Sequence, residues 1–107
     1  MKTWEIEVRR PWDDRAIAEM VERAAASQRL TISLRAGLQK YPGCIHWHFK
    51  MNGKSGTIEA TMWPSRQRVW LSVQTGRNAE WIKEAVGLMI NDLHQTLRVP
   101  QGTDRKH

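Results

Sequence analysis

Three consecutive segments between residues 44 and 75 alternate apolar and polar side chains, and turn-forming residues separate them. A period of two is the pattern of β-strands, whose successive side chains point to opposite faces of a sheet. The apolar positions are Ile45, Trp47, Phe49, Ile58, Ala60, Met62, Val69, Leu71 and Val73. The alternation therefore predicts three neighbouring antiparallel strands that turn one face towards a hydrophobic core.

The opposite face carries side chains that are unusual for a surface exposed to solvent. They are Cys44, His46, His48, Lys50, Thr57, Glu59, Thr61, Trp63, Arg68, Trp70, Ser72 and Gln74. Imidazoles, a carboxylate, indoles and cations are groups from which binding sites are built. No motif in the chain names a reaction, so a non-catalytic binding role is the favoured interpretation and enzymatic activity the less favoured one.

The flanking segments predict two further strands and two helices. Trp4, Ile6 and Val8 alternate in a first strand, and residues 30–36 alternate in a second. Apolar residues at helical spacing indicate one helix that begins near Asp13 and another that begins after Asn78. We expect residues 37–43 to form a loop.

The predicted element order is therefore β-α-β-β-β-β-α. Each helix has one apolar stripe, and two such helices can be buried together against one face of the sheet. This predicts an α+β two-layer sandwich, with a five-stranded, mainly antiparallel sheet and two helices packed on one face. The other face of the sheet is expected to be open to water or to a partner.

Composition limits the class of protein. The 107 residues suit one domain, predicted to span residues 1–99, with a flexible C-terminal tail at residues 100–107. Hydrophobic residues make up 40% and charged residues 26%, which argues against bulk disorder. A single cysteine excludes an intrachain disulfide and fits a reducing compartment. No apolar run suits a signal peptide or a membrane span, so we predict a soluble cytoplasmic protein that does not bind membranes.

The net charge of +6 favours anionic partners. On the open face, indoles interleaved with cations could stack on bases and contact phosphates, as single-stranded nucleic acid requires. In the predicted register Trp63 faces Arg68 and Thr61 faces Trp70. The first hypothesis is therefore binding of nucleic acid or another anionic partner. Its candidate residues are Arg35, His46, His48, Lys50, Glu59, Trp63, Arg68 and Trp70.

A second hypothesis is a small-ligand or metal site. His46 and His48 lie two residues apart on one strand face, roughly 7 Å apart at the backbone, which lets two imidazoles converge on one ion. The following strand brings Glu59 opposite one of them. Two histidines with a carboxylate are a ligand set for zinc and non-haem iron, and Cys44 lies next along the same face. A metal ion is the one cofactor that the sequence suggests.

A third hypothesis concerns self-association. A sheet face that exposes Trp63 and Trp70 could be covered by a second copy of the chain or by another protein. The same indoles could instead form cross-strand cation–π pairs that only stiffen the sheet. The sequence leaves these alternatives open.

Overall fold

The computed structural model describes residues 1–9, 11–74 and 79–97 and confirms the α+β fold. The elements in chain order are β1 (Lys2–Ile6), α1 (Asp14–Ser27), β2 (Leu30–Leu38), β3 (Tyr41–Met51), β4 (Ile58–Trp63), a short 3-10 helix (Pro64–Arg66), β5 (Arg68–Val73) and α2 (Glu80–Leu97). The predicted domain limit at residue 99, the tail at 100–107 and the helix cap at Asn78 lie outside the described residues.

The five strands form one antiparallel sheet in the order β1-β5-β4-β3-β2. The connection through α1 carries the chain from β1 at one edge to β2 at the other. The predicted pairs Trp63 with Arg68 and Thr61 with Trp70 are both confirmed. Glu59 pairs with His48, one of the two positions that the alternation allowed.

Both helices pack on the same face of the sheet and bury the predicted apolar positions. Val21 of α1 and Met89 and Leu93 of α2 are fully buried, as are Trp47 and Leu71 beneath them. Burying each such side chain contributes roughly 1.5–3 kcal/mol relative to exposure, so this interface is the main source of stability. Neither helix of the described chain is long and apolar enough to cross a lipid bilayer.

The predicted loop at residues 37–43 is wrong. β2 continues to Leu38 and β3 begins at Tyr41, so the two strands form a hairpin with a turn at residues 39–40. Pro42 is accommodated near the start of β3, a strand position that proline tolerates. The register of β2 against β3 shifts between Ile32 and Leu34 and again between Ala36 and Leu38.

The connection between β3 and β4 is longer than the tight turn that Asn52 and Gly53 suggest, since it spans residues 52–57. The Lys54 amide donates to the Met51 carbonyl at 3.0 Å and closes a turn. The Trp81 indole of α2 donates to the Ser55 carbonyl at 2.8 Å. This hydrogen bond anchors the connection to the helix layer.

Candidate functional site

Two neighbouring rows of side chains cross the middle of the open face. In one row His48 of β3 pairs with Glu59 of β4. In the next row His46 pairs with Thr61, and Thr61 pairs with Trp70 of β5. Because these strands are hydrogen-bonded neighbours, the rows lie side by side and bring two imidazoles and a carboxylate together.

The side chains of His46, His48 and Glu59 converge on one point. The two Nε2 atoms are 3.1 Å apart, and Glu59 Oε1 lies 3.3 Å from His46 Nε2 and 3.9 Å from His48 Nε2. A circle through these three atoms has a radius of about 2.0 Å, which is the length of a zinc–nitrogen or zinc–oxygen bond. A single ion can therefore contact all three atoms with bonds of ordinary length. We call these three residues the His–Glu cluster.

A buried hydroxyl orients one of the imidazoles. Thr61 Oγ1 lies 2.8 Å from His46 Nδ1, and Thr61 is only 2% exposed. This contact holds the His46 ring so that Nε2 faces His48 and Glu59. Metal-bound histidines characteristically use their second ring nitrogen for such a hydrogen bond, which fixes both the tautomer and the ring orientation.

The local electrostatics keep His46 neutral. Burial lowers the pKa of His46 from its ordinary value. The Glu59 carboxylate opposes this shift and the neighbouring His48 adds to it, with burial the largest cause. His46 therefore presents the neutral imidazole, the form that binds metal ions, at neutral pH.

The cluster opens towards solvent at one end. The His46 and Glu59 side chains are 13% and 16% exposed, whereas the His48 side chain is 34% exposed. A cleft of about 500 Å³ adjoins His48 and Glu59. Its remaining lining residues are Lys50, Gly56, Thr57, Gln74 and Ile82. An ion held by the cluster is therefore reachable from the cleft.

A second group, which we call the aromatic cluster, covers the neighbouring part of the open face. It contains Tyr41, Trp63 and Trp70, with ring centroids 4.6 Å apart for Tyr41 and Trp63 and 6.5 Å apart for Trp63 and Trp70. Together with the His–Glu cluster it lies on a face where Thr61, Ser72 and Cys44 are buried without any helix above them. The open face is thus covered in part by its own large side chains.

Arg68 lies against the aromatic cluster, but its guanidinium is already paired with an acidic residue. Its guanidinium lies 4.9 Å from the Trp70 ring centroid and donates two hydrogen bonds to Glu5 of β1, at 2.9 and 2.8 Å. The Glu5 hydrogen bonds raise the pKa of Arg68 further above its ordinary value. Arg66 adds a second cation, 5.5 Å from the Trp63 ring centroid.

Two predicted site residues, Arg35 and Cys44, are not presented at the surface of the open face. Arg35 pairs with Trp47 in the sheet and contacts Glu22 of α1 at 3.2 Å, so it lies on the helix-covered face. The register shift between Ile32 and Leu34 explains this, because one extra residue moves the following side chains to the other face. Cys44 is 3% exposed and is not part of the metal-ligating group, and burial raises the pKa of its thiol.

The remaining predicted residues lie where the alternation places them. Lys50 is exposed and lines the cleft, and Trp63 and Trp70 are half-buried elsewhere on the same face. The sequence analysis missed Thr61 as the partner of His46, Tyr41 in the aromatic cluster and Glu5 as the partner of Arg68. The register could have identified Thr61, whereas Glu5 depends on the position of β1, which no sequence pattern indicates.

Comparisons of the chain with protein-family models, with curated proteins and with solved structures find no match.

Proposed function

We propose that this protein binds a divalent transition-metal ion, Zn²⁺ or Fe²⁺, through His46, His48 and Glu59. The observation that carries the proposal is the convergence of three ligand atoms from two adjacent strands on a point about 2.0 Å from each. The hydroxyl of Thr61 behind His46 supplies the outer hydrogen bond that such ligands use.

A site without an ion explains the geometry less well. A neutral imidazole carries one ring proton, on Nδ1 or on Nε2, and a carboxylate only accepts, so without an ion the contacts depend on the tautomers of the two histidines. With a proton on His46 Nε2, His48 Nε2 and the Glu59 oxygen compete for the same donor, at 3.1 and 3.3 Å. A cation at the shared point satisfies all three atoms at once.

The ligand types select the class of metal. Imidazole nitrogen is a preferred ligand of zinc and iron, whereas calcium and magnesium prefer sites built entirely of oxygen. Two histidines and one carboxylate also recur as the protein ligands of zinc and non-haem iron enzymes, where further coordination positions are filled by water or substrate. The cluster therefore suits a transition-metal ion of intermediate softness, such as zinc or iron.

Metal analysis of the untagged protein tests the proposal, together with competition against a chromophoric zinc chelator. We expect about one equivalent of zinc or iron, since the cluster holds one ion. The His48→Gln change should weaken Zn²⁺ affinity at least about tenfold, because even the outer hydrogen bonds of metal ligands are worth about 10–100-fold.

His94→Gln is the matched control, because His94 lies on α2 and outside the His–Glu cluster. It should bind Zn²⁺ as the unmodified chain does. Failure of the unmodified chain to bind zinc, iron, nickel or copper would refute the proposal. Equal losses in the His48 and His94 variants would do the same.

The nucleic-acid hypothesis stays a prediction with weaker support. The net charge of +6 and the half-buried Trp63 and Trp70 favour it. The pairing of Arg68 with Glu5 and the position of Arg35 on the helix-covered face reduce the cations available to a phosphate backbone on the open face. Covering of this face by a second copy of the chain also stays a prediction.

A further inference from the structure

The cleft beside the His–Glu cluster combines three features. They are the candidate metal ligands His48 and Glu59, the cation Lys50 and an apolar wall. We propose that the cleft binds a small organic carboxylate, whose oxygen completes the coordination of the metal and whose charge is balanced by Lys50. This inference rests on the proposed metal site and identifies the ligand class that the site accepts.

Coordination geometry provides the first step. The cluster supplies three protein ligand atoms, and zinc sites with three protein ligands take water or substrate in the fourth position. His48 and Glu59 line the cleft, whereas His46 lies behind them against Thr61. A further ligand would therefore reach an ion held by the cluster from the cleft.

Charge provides the second step. Two neutral imidazoles and one carboxylate leave a divalent ion with excess positive charge. Lys50 follows His48 by two residues on the same face of β3 and adds another positive charge to the cleft. Within the described part of the chain, Glu59 is the only acidic residue lining the cleft and Lys50 forms no ion pair. The cleft with its metal is therefore suited to an anion.

The shape and lining of the cleft provide the third step. Its volume of about 500 Å³ falls in the range of small-molecule sites. Thr57 and Gln74 offer polar groups, and Gly56 with the edge of the largely buried Ile82 forms a small apolar wall at the helix layer. An inorganic anion would leave that wall without a contact, whereas the hydrocarbon part of an organic carboxylate would pack against it.

Cobalt substitution allows the metal site and the carboxylate site to be tested separately. Co²⁺ replaces zinc in such sites, and its visible absorption reports its coordination. The unmodified chain is titrated with Co²⁺ and then with acetate or benzoate. We expect both anions to change the spectrum saturably, and benzoate to bind at least about threefold more tightly than acetate because its ring buries apolar surface.

The Lys50→Gln variant should bind benzoate about three- to tenfold more weakly, as expected for the loss of a charge-assisted contact. Lys54→Gln is the matched control, since Lys54 is exposed in the 52–57 connection and does not line the cleft. It should bind benzoate as the unmodified chain does.

The outcomes are distinguishable. A chain that binds no Co²⁺ overturns the metal site and this inference with it. If the chain binds Co²⁺ but its spectrum changes with neither anion, the carboxylate site is refuted and the metal site is not. Equal affinities for acetate and benzoate, or equal affinities in the Lys50 and Lys54 variants, also overturn the proposed carboxylate site.

Discussion

At the scale of the residue, the most informative contact is the one between Thr61 and His46. Thr61 is buried at 2% exposure, and its hydroxyl lies 2.8 Å from His46 Nδ1. A threonine on a strand is unremarkable by itself, because β-branched residues favour strands. Here the hydroxyl orients His46, a candidate metal ligand, so the role of Thr61 depends on its neighbour across the strands.

We therefore predict that Thr61→Val weakens Zn²⁺ affinity about tenfold, because valine keeps the shape of threonine but cannot hold the imidazole. Competition titration against a chromophoric chelator measures the effect. Ser72→Ala is the control, since Ser72 is also buried on the open face but pairs in the sheet with Glu59, whereas His46 pairs with Thr61. Unchanged affinity in Thr61→Val, or an equal loss in both variants, would contradict a positioning role for the hydroxyl.

At the scale of the element, Gly56 brings the β3–β4 connection into close contact with the helix layer. Gly56 has φ +101°, and a Cβ at this position would lie 2.6 Å from Cδ1 of the buried Ile82 in α2. Gly53 in the same connection has φ +76° with no atom within 4 Å of an added Cβ. Comparing substitutions at the two glycines therefore distinguishes the cost of backbone strain from the cost of crowding against α2.

We expect Gly53→Ala to lower the free energy of unfolding by about 1 kcal/mol, because alanine is strained at positive φ. Gly56→Ala should cost about 1–3 kcal/mol more, because Ile82 must also move within a packed core. Urea denaturation of both variants measures the difference. A Gly56→Ala variant no less stable than Gly53→Ala would mean that the connection can move away from α2.

The strands also show which parts of the fold and of the candidate site could be predicted from the sequence. The faces of β3, β4 and β5 followed from alternation, and a short 3-10 turn kept β4 and β5 in the predicted register. The convergence of His46, His48 and Glu59 followed from the same pattern. The side of Arg35 did not, because a bulge in β2 has no marker in this sequence and one extra residue reverses the alternation.

At the scale of the whole molecule, the excess of positive charge and the aromatic cluster keep the nucleic-acid prediction testable. That prediction requires bases to stack on Trp63 and Trp70, each stacked base contributing about 1–3 kcal/mol. It also requires affinity to fall steeply between about 50 and 200 mM salt, as phosphate contacts release counterions. Dimerisation through the same indoles would instead persist at high salt.

The corresponding variant changes both Trp63 and Trp70 to alanine. Under the nucleic-acid hypothesis, its affinity for a single-stranded oligonucleotide should fall at least about fivefold, measured by fluorescence anisotropy. Trp12→Ala is the control, because Trp12 precedes α1 and lies outside the aromatic cluster. A folded double variant that binds as the unmodified chain does would remove these two indoles from any nucleic-acid interface.

All three members of the His–Glu cluster come from one β-hairpin, within the pairing of β3 with β4. Their relative positions depend on the hydrogen bonds between two adjacent strands and not on how the helices dock. An ion bound as proposed would therefore link β3 to β4 and stabilise their pairing at the centre of the sheet.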